Sequence, residues 1–272
     1  MALRSKDDAA ELRRLARALY FSNEAIDSFL KSATAAEARC VSDLITAELE
    51  TRERNKRARL FRRARFPQVK SFEGYDFSQV VFPDGYGEAD LRSLKFIDEA
   101  QDFVFHGQTG RGKTHLAIAV GSACVAAGRV VRFFTTAELA LALSRASRDH
   151  SLEQLMKEIA KCDLLILDEF GYVPIDVESS RLLFQVVADC YEKRSVIFTT
   201  NIEFGKWGTV LGDDKLTVPD RSCGASRPPC GVRRSEPSHG GGAHAGERGC
   251  GCCVRTHSIW PGARQKPMGH VP

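Results

Sequence analysis

The hydrophobic positions of this chain change their spacing twice. Over residues 6–65, apolar side chains recur at helical intervals: Leu12, Leu15 and Leu19, then Phe29 and Leu30, then Leu44, Ile45 and Leu49. That spacing puts them on one face of successive helices. Pro67 closes the segment, because proline donates no hydrogen bond and clashes with a preceding helical turn. Residues 71–100 follow no period and form a connector containing Phe72, Tyr75, Phe77, Phe82, Pro83 and Gly85. From residue 103, short apolar runs alternate with helical ones. Strands are predicted at Phe103–Phe105, Val130–Phe134, Leu164–Leu167 and Val196–Thr199. Helices are predicted from Lys113 to Ala127, over Leu139–Leu143, over Leu152–Ile159 and over Leu182–Tyr191. Apolar strands alternating with helices are the signature of an α/β fold, a parallel sheet covered on both faces.

Past Leu216 neither period persists. The last 57 residues hold 10 of the 22 Gly, 7 of the 10 Pro and five of the nine Cys. Such a composition cannot bury enough apolar surface to order itself. Three regions are therefore expected: a basic helical domain over 1–70, an α/β domain over 71–217, and a disordered tail over 218–272.

Charge follows the same divisions. Residues 1–70 carry 16 Lys/Arg against 10 Asp/Glu, residues 71–215 carry 15 against 22, and residues 216–272 carry 8 against 3. Eight of the fourteen residues from Arg52 to Arg65 are basic. A basic arm on an acidic body fits an anionic polymer as the partner of the arm. No motif that reads bases is visible, so its contacts would go to the phosphate backbone. Four cysteines lie among apolar neighbours before residue 216: Cys40, Cys124, Cys162 and Cys190. They are expected as buried reduced thiols. No run of about 18 apolar residues exists, and the charged start has no apolar core behind it. A cytoplasmic protein without membrane contact is expected.

The chemistry is concentrated in two short stretches. Gly107-Gln108-Thr109-Gly110-Arg111-Gly112-Lys113-Thr114 fits the phosphate-loop pattern G-x-x-x-x-G-K-[ST] between a strand and a helix. Its glycines let backbone N–H groups curl around phosphate oxygens, and the helix N-terminus adds partial positive charge. Lys113 would reach the β- and γ-phosphates of ATP, and the Thr114 hydroxyl would ligate Mg²⁺. His115 follows at the mouth of the same loop and is counted with it, although a residue in the first helical turn packs locally. The second stretch is Leu164–Glu169, an apolar strand ending in two acids. Asp168 would complete the Mg²⁺ shell, and Glu169 would polarise the attacking water. Thr199, Thr200 and Asn201 end the next strand, where a polar side chain, Asn201 above all, would touch the γ-phosphate or the water and report nucleotide state, or else cap the next loop. Phe204 and Trp207 are expected to pack. The five tail cysteines leave a zinc site through Cys250, Cys253 and His257 as a rival reading of the tail.

The strings FHGQTGRGKTHLAIAVG, DLLILDEFGYVPID, LLFQVVADCYEKRSVIFTTN and FGKWGTVLGDDKL closely resemble the IstB-like helper ATPases of insertion sequences. These are relatives of the helicase loader DnaC within the AAA+ class. The resemblance spans residues 20–217. It implies a five-stranded parallel sheet in the order 5-1-4-3-2 behind a small helical domain. It also implies ATP-dependent binding of duplex DNA as an oligomer, ATP between neighbouring subunits, and work with a partner transposase. Lys113, Thr114, Asp168, Glu169 and Asn201 match the family's motif positions. The shared core leaves a DnaC-like helicase loader, or an inactive nucleotide-binding remnant, as alternatives.

After Lys215-Leu216-Thr217 the sequence departs from that family. Arg221 follows Asp220 as an arginine finger would, but Pro219 disrupts the helix that should present it. One codon choice for Ala225–Arg234, read one base later, gives HRGLLVEFGG, which resembles the family's fifth strand. A frame change therefore accounts for the tail. Without strand five, the phosphate-loop strand is expected as a bare, aggregation-prone edge.

Overall fold

A computed structural model of the 272-residue chain describes residues 6–203 and 206–208, with the backbone of 252–256. The chain divides into two compact units, Met1–Arg59 and Leu60–Pro272.

The first unit is helical. Helices α1 (Lys6–Ala18) and α2 (Asn23–Ser32) lead into α3 (Ala35–Ala64), a helix of 30 residues. Ser22 caps α2 by accepting from the Ala25 N–H at 3.2 Å. Thr34 and Glu37 cap α3 reciprocally: Thr34 N–H donates to Glu37 Oε2 at 2.7 Å, and Glu37 N–H donates to Thr34 Oγ1 at 3.3 Å. Such boxes satisfy helix-start donors that otherwise have no partner. Leu12, Leu15, Ala16, Ile26, Ala38 and Ile45 form the buried core, with Leu19, Phe29, Leu30, Val41 and Leu49 packed around it. Leu44 departs from expectation. It is 69% exposed, because its neighbour Ile45 takes the inward position.

The expected boundary at residue 70 falls about ten residues too late. Leu60, Phe61 and Phe66 pack into the core of the second unit. The Phe66 ring lies 5.3 Å from that of Phe61 and 6.1 Å from that of Phe133. Pro67 marks where the helix stops, and these aromatics mark where the second core begins.

The second unit contains β1 (Val80–Val81), α4 (Glu88–Ser93), α5 (Lys95–Asp98), β2 (Phe103–His106), α6 (Lys113–Ala126) and β3 (Val131–Thr135). After these come α7 (Thr136–Arg148), α8 (Leu152–Ile159), β4 (Leu164–Asp168), α9 (Val177–Cys190), β5 (Ser195–Thr200) and β6 (Cys252–Thr256). The sheet order is β1-β6-β2-β5-β4-β3. Strands β2, β5, β4 and β3 pair in parallel, which is the 1-4-3-2 part of the expected order. Alternate residues of each strand supply opposite faces. Phe103, Phe105, Phe133, Leu164, Ile166 and Ile197 join α6 and the connector aromatics. Val104, Phe134, Leu165, Leu167, Val196 and Phe198 join α7, α8 and α9. Every residue of β4 and β5 is buried, so their continuous apolar runs reflect a strand covered on both sides.

Two expectations change. The phosphate-loop strand β2 is not a bare edge. Strand β6 pairs antiparallel with it, from Phe103 against Thr256 to His106 against Cys253, and β1 pairs with the far side of β6. Five residues of the segment expected as disordered therefore form a strand. Their isolated Val254 is no strand signal in sequence; the open hydrogen-bonding edge of β2 supplies it. Cys40 is exposed, while Cys124, Cys162 and Cys190 are buried as expected. Burial raises those three thiols to about 12, 11 and 12, respectively. Among the described residues no helix is long and apolar enough to cross a membrane.

Two contacts set tests of this packing. Gly121 lies in α6 where an added Cβ would fall 2.7 Å from Phe66 Cζ and 2.9 Å from Ile166 Cδ1. Gly121→Val should lower unfolding stability by about 1–3 kcal/mol, read as a shifted urea midpoint. Asp102 Oδ1 accepts from the Val196 N–H at 2.8 Å, tying the start of β2 to β5. Burial raises the Asp102 carboxyl to about 7, partly opposed by that hydrogen bond. From about pH 3.9, the unfolded value, up to about 7 the folded chain holds a proton that the unfolded chain has lost. The stabilisation is full below that window and disappears as pH rises through it. Urea midpoints of the wild type relative to Asp102→Asn should therefore fall between pH 5 and pH 8.

Candidate nucleotide site

The site is assembled at the carboxyl ends of β2, β4 and β5, where open parallel sheets present ligand-binding loops. Strand β5 lies between the other two. The turn after β2 and the tip of β4 therefore both stand over the end of β5.

The loop after β2 depends on glycine at two positions. Gly110 and Gly112 have φ of +81° and +78°, a region that side chains with a Cβ rarely enter. At Gly112 a Cβ would also meet the Tyr75 ring at 3.2 Å. The Gly107 N–H donates to Thr200 O at 3.2 Å, fastening the loop's start to β5. Gln108, Thr109 and Gly110 are exposed, and Arg111 is half-buried. Lys113 begins α6 and is 6% exposed. Its Nζ donates to Gly107 O and Gln108 O, each at 2.8 Å. A buried ammonium is stable only with such acceptors, so the loop's own carbonyls hold the charge inside its curve.

Asp168 ends β4 and is 4% exposed. Its Oδ1 accepts from Thr114 Oγ1 at 2.9 Å and from Thr199 Oγ1. Its backbone carbonyl accepts from Thr136 Oγ1 at 2.9 Å. Thr114 comes from α6, Thr136 from α7 and Thr199 from β5, so three elements converge on one residue. The arrangement suits a small hard cation. A buried carboxylate and a hydroxyl stand together, Asp168 Oδ2 has no hydrogen-bond partner among the described residues, and all the donor atoms are oxygen.

Glu169 is exposed and has φ of +56°. That left-handed turn is costly for a residue with a Cβ and persists only where its surroundings enforce it. Here the Glu169 N–H donates to Thr199 Oγ1 at 3.0 Å, and the Phe170 N–H donates to Thr199 O at 2.8 Å. Thr200 Oγ1 donates to Phe170 O at 2.7 Å. The Phe170 ring is wedged 5.3 Å from Phe198 and 4.4 Å from Trp207. The turn thus leaves Asp168 inside and places Glu169 outside, next to it.

Sequence reasoning located both ends of this network and placed Thr199 among the polar residues that could touch the γ-phosphate or the water, but not as the hydroxyl that joins the two ends. Thr199 was visible only as a polar end to an apolar strand. Asn201 stands exposed just past β5. His115 turns to the connector: its Nε2 lies 3.2 Å from Ser71 O, and its ring lies 5.1 Å from that of Tyr75. Tyr75 therefore covers Gly112 and His115 together, a second contact that sequence reasoning missed. Trp207 is buried as expected. Phe204, Arg221, Cys250 and His257 lie outside the described residues. Among the described residues no group of three or more His, Cys, Asp or Glu could hold a metal by itself.

On the basic segment, Arg52 pairs with Glu48 at 2.6 Å, while Arg57 and Lys56 pair with Glu53 at 3.2 and 4.0 Å. Glu48 and Glu53 are thus the acidic partners within the run. Arg54, Arg59, Arg62, Arg63 and Arg65 are exposed and make no ion pair among the described residues. Most of the unneutralised charge therefore lies at the carboxyl end of the run.

The chain is similar to known proteins over most of its described length. The family model described as IstB-like ATP binding protein matches residues 8–221. The protein named as ATP-binding in insertion sequence IS232 of Bacillus thuringiensis subsp. berliner is 38% identical over 173 residues, covering 64% of this chain and 69% of its own. The corresponding protein of insertion sequence IS5376 from Geobacillus stearothermophilus is 35% identical over 175 residues, covering 64% of this chain and 70% of its own. Among solved structures, the DnaC helicase loader aligns with a TM-score of 0.44 at 20% identity, over 56% of this chain and 92% of that one. With a family model covering most of its length, the chain belongs to the IstB-like ATP-binding proteins.

Proposed function

We propose that this protein hydrolyses ATP, binds duplex DNA through the segment from Arg52 to Arg65, and serves a transposase as an oligomeric helper. The observation that carries the reading is the convergence of Thr114 and Thr199 on the buried Asp168, with Glu169 turned outward beside it. The phosphate loop from Gly107 to Thr114, with His115 at its edge, cradles the triphosphate. Lys113 is already desolvated and held at the inner wall of the loop, so its charge acts on the terminal phosphates at low dielectric. Thr114 and Asp168 would hold Mg²⁺, which when bound supplies positive charge against phosphate oxygens as they become more negative. Glu169 orients the attacking water and accepts its proton. Thr199 fixes the distance between the two acids, and Asn201 faces the terminal phosphate from the end of β5.

DNA binding is assigned to the cations that lack internal partners. Pairs such as Arg52 with Glu48 are already neutralised, whereas Arg59, Arg62, Arg63 and Arg65 remain available to phosphates. The relatives' names place them in insertion sequences, which supports the transposase as partner. A frame change after residue 217 is proposed for the tail, and sequencing the coding DNA across that point tests it.

Glu169→Gln should lower ATP turnover by about a hundredfold or more while binding of a fluorescent ATP analogue stays unchanged. Turnover equal to the wild type would overturn the assignment. Arg59→Ala combined with Arg62→Ala should weaken duplex DNA binding about tenfold near 0.1 M salt and flatten the log–log salt slope by about two. Unchanged affinity and slope would remove the segment from the interface. In co-purification the partner captured should be a transposase, and a replicative helicase instead would make the protein a loader.

A further inference from the structure

The left-handed φ of +56° at Glu169 is a conformation that a residue with a Cβ leaves unless its surroundings hold it there. Two hydrogen bonds hold its main chain. The Glu169 N–H donates to Thr199 Oγ1 at 3.0 Å, and the Glu169 carbonyl accepts from the Tyr172 N–H at 3.2 Å. The second bond closes a four-residue turn with Gly171, at φ +83°, in the third position, where a positive φ favours glycine. That support is local. The first bond is not: it comes from the neighbouring strand, 30 positions along the chain. The Glu169 carboxylate is exposed and makes no hydrogen bond or ion pair among the described residues. Its direction is therefore set by its main chain alone.

Thr199 is 1% exposed, so bulk water does not compete for its hydroxyl. A hydroxyl has one proton to give and lone pairs to accept with. Here the proton goes to Asp168 Oδ1, and a lone pair takes the Glu169 N–H. The residues around the turn do not depend on this oxygen equally. Asp168 keeps the Thr114 hydroxyl at 2.9 Å, and its carbonyl keeps the Thr136 hydroxyl at 2.9 Å. Phe170 keeps its N–H on Thr199 O and its carbonyl on Thr200 Oγ1. Among the described residues the Glu169 N–H has Thr199 Oγ1 alone. Removing that one oxygen leaves the residues before and after Glu169 held and frees Glu169 itself.

We infer that Thr199 is a positioning residue for ATP hydrolysis and acts through the main chain of Glu169. Its hydroxyl holds the strained turn that aims the carboxylate at the water, while nucleotide binding is left to other groups. The inference rests on the reading of Glu169 as the residue that orients the water, and deepens it by naming what aims that residue. A displacement of about 1 Å at a reacting group can lower a rate a hundredfold. The triphosphate is held by the phosphate loop, Lys113 and Thr114, none of which takes a hydrogen bond from Thr199.

The test is steady-state ATP hydrolysis by the full chain at saturating Mg²⁺, with binding of a fluorescent ATP analogue measured alongside. Thr199→Val keeps the shape of the side chain and removes the hydroxyl. It should lower kcat and kcat/KM together by about ten- to a hundredfold, with analogue affinity unchanged. Thr199→Ser keeps the hydroxyl and should recover most of the loss. The deficit of Thr199→Val should persist as Mg²⁺ is raised. Added to Glu169→Gln, Thr199→Val should lower turnover no further, because the group it aims is already gone. Should Thr199→Val fail to fold, Thr199→Ala carries the same expectations.

A merely structural threonine would lower the urea midpoint of the Val and Ser variants alike and leave kcat per folded molecule unaltered, which would overturn the inference. A deficit that extra Mg²⁺ repairs, or one that adds to that of Glu169→Gln, would place the effect at Asp168 and overturn the route through Glu169. Wild-type turnover in Thr199→Val beside an inactive Glu169→Gln would overturn the positioning role alone. Wild-type turnover in Glu169→Gln would overturn the reading on which it rests, and a wild type without ATP turnover would overturn both.

Discussion

The candidate nucleotide site hangs on the carboxylate of Asp168. Two hydroxyls, from Thr114 and Thr199, donate to one of its oxygens, and a third, from Thr136, donates to its backbone carbonyl. A buried carboxylate must be satisfied in this way or lose its charge. The consequence is geometric: the start of α6, the start of α7 and the end of β5 are fixed relative to the tip of β4. The phosphate loop is fastened at its other end by the Gly107 N–H to Thr200 O. Adjacent threonines on one strand thus hold the two halves of the site.

Thr199 also explains how two neighbouring acids acquire different surroundings. Its hydroxyl donates to the Asp168 carboxylate and accepts from the Glu169 N–H. The backbone turns left-handed at Glu169, so one side chain stays inside and the next emerges. Phe170 secures the turn by packing against Phe198 and Trp207. Polar bonds therefore set the geometry of the acids, and an aromatic wedge keeps the strained residue in place. The interior is used differently at the opposite edge of the sheet, where Arg132 is buried on β3. The same fold gives Lys113 two carbonyl acceptors and Asp168 two hydroxyl donors at the nucleotide end, and leaves the Arg132 Nε without a partner among the described residues.

The phosphate-loop strand illustrates how strongly an open edge recruits a partner. Strand β2 is apolar and would expose its backbone donors and acceptors. Residues Cys252–Thr256 supply the missing ladder, antiparallel, where a bare edge was expected. Little in those five residues announces a strand, since their segment is rich in glycine and proline. The pairing is a property of the edge more than of the segment that fills it.

Much of this protein was legible in its sequence because the relevant signals are local. The alternation of apolar strands and helices fixed the fold class, and the eight residues from Gly107 to Thr114 identified the phosphate loop by spacing alone. The pair Asp168-Glu169 at the end of an apolar strand marked the second half of the site in the same way. Tertiary structure decided what depends on strand order. Thr199 meets Asp168 across 31 positions because β5 lies beside β4. Tyr75 covers the phosphate loop because the connector folds back over α6. Among the basic residues, sequence gave the total charge, but packing and ion pairing decided which arginines remained free. A helical or strand period is written in consecutive residues. A contact between distant residues exists only once the sheet has chosen its neighbours, and no local pattern carries that choice.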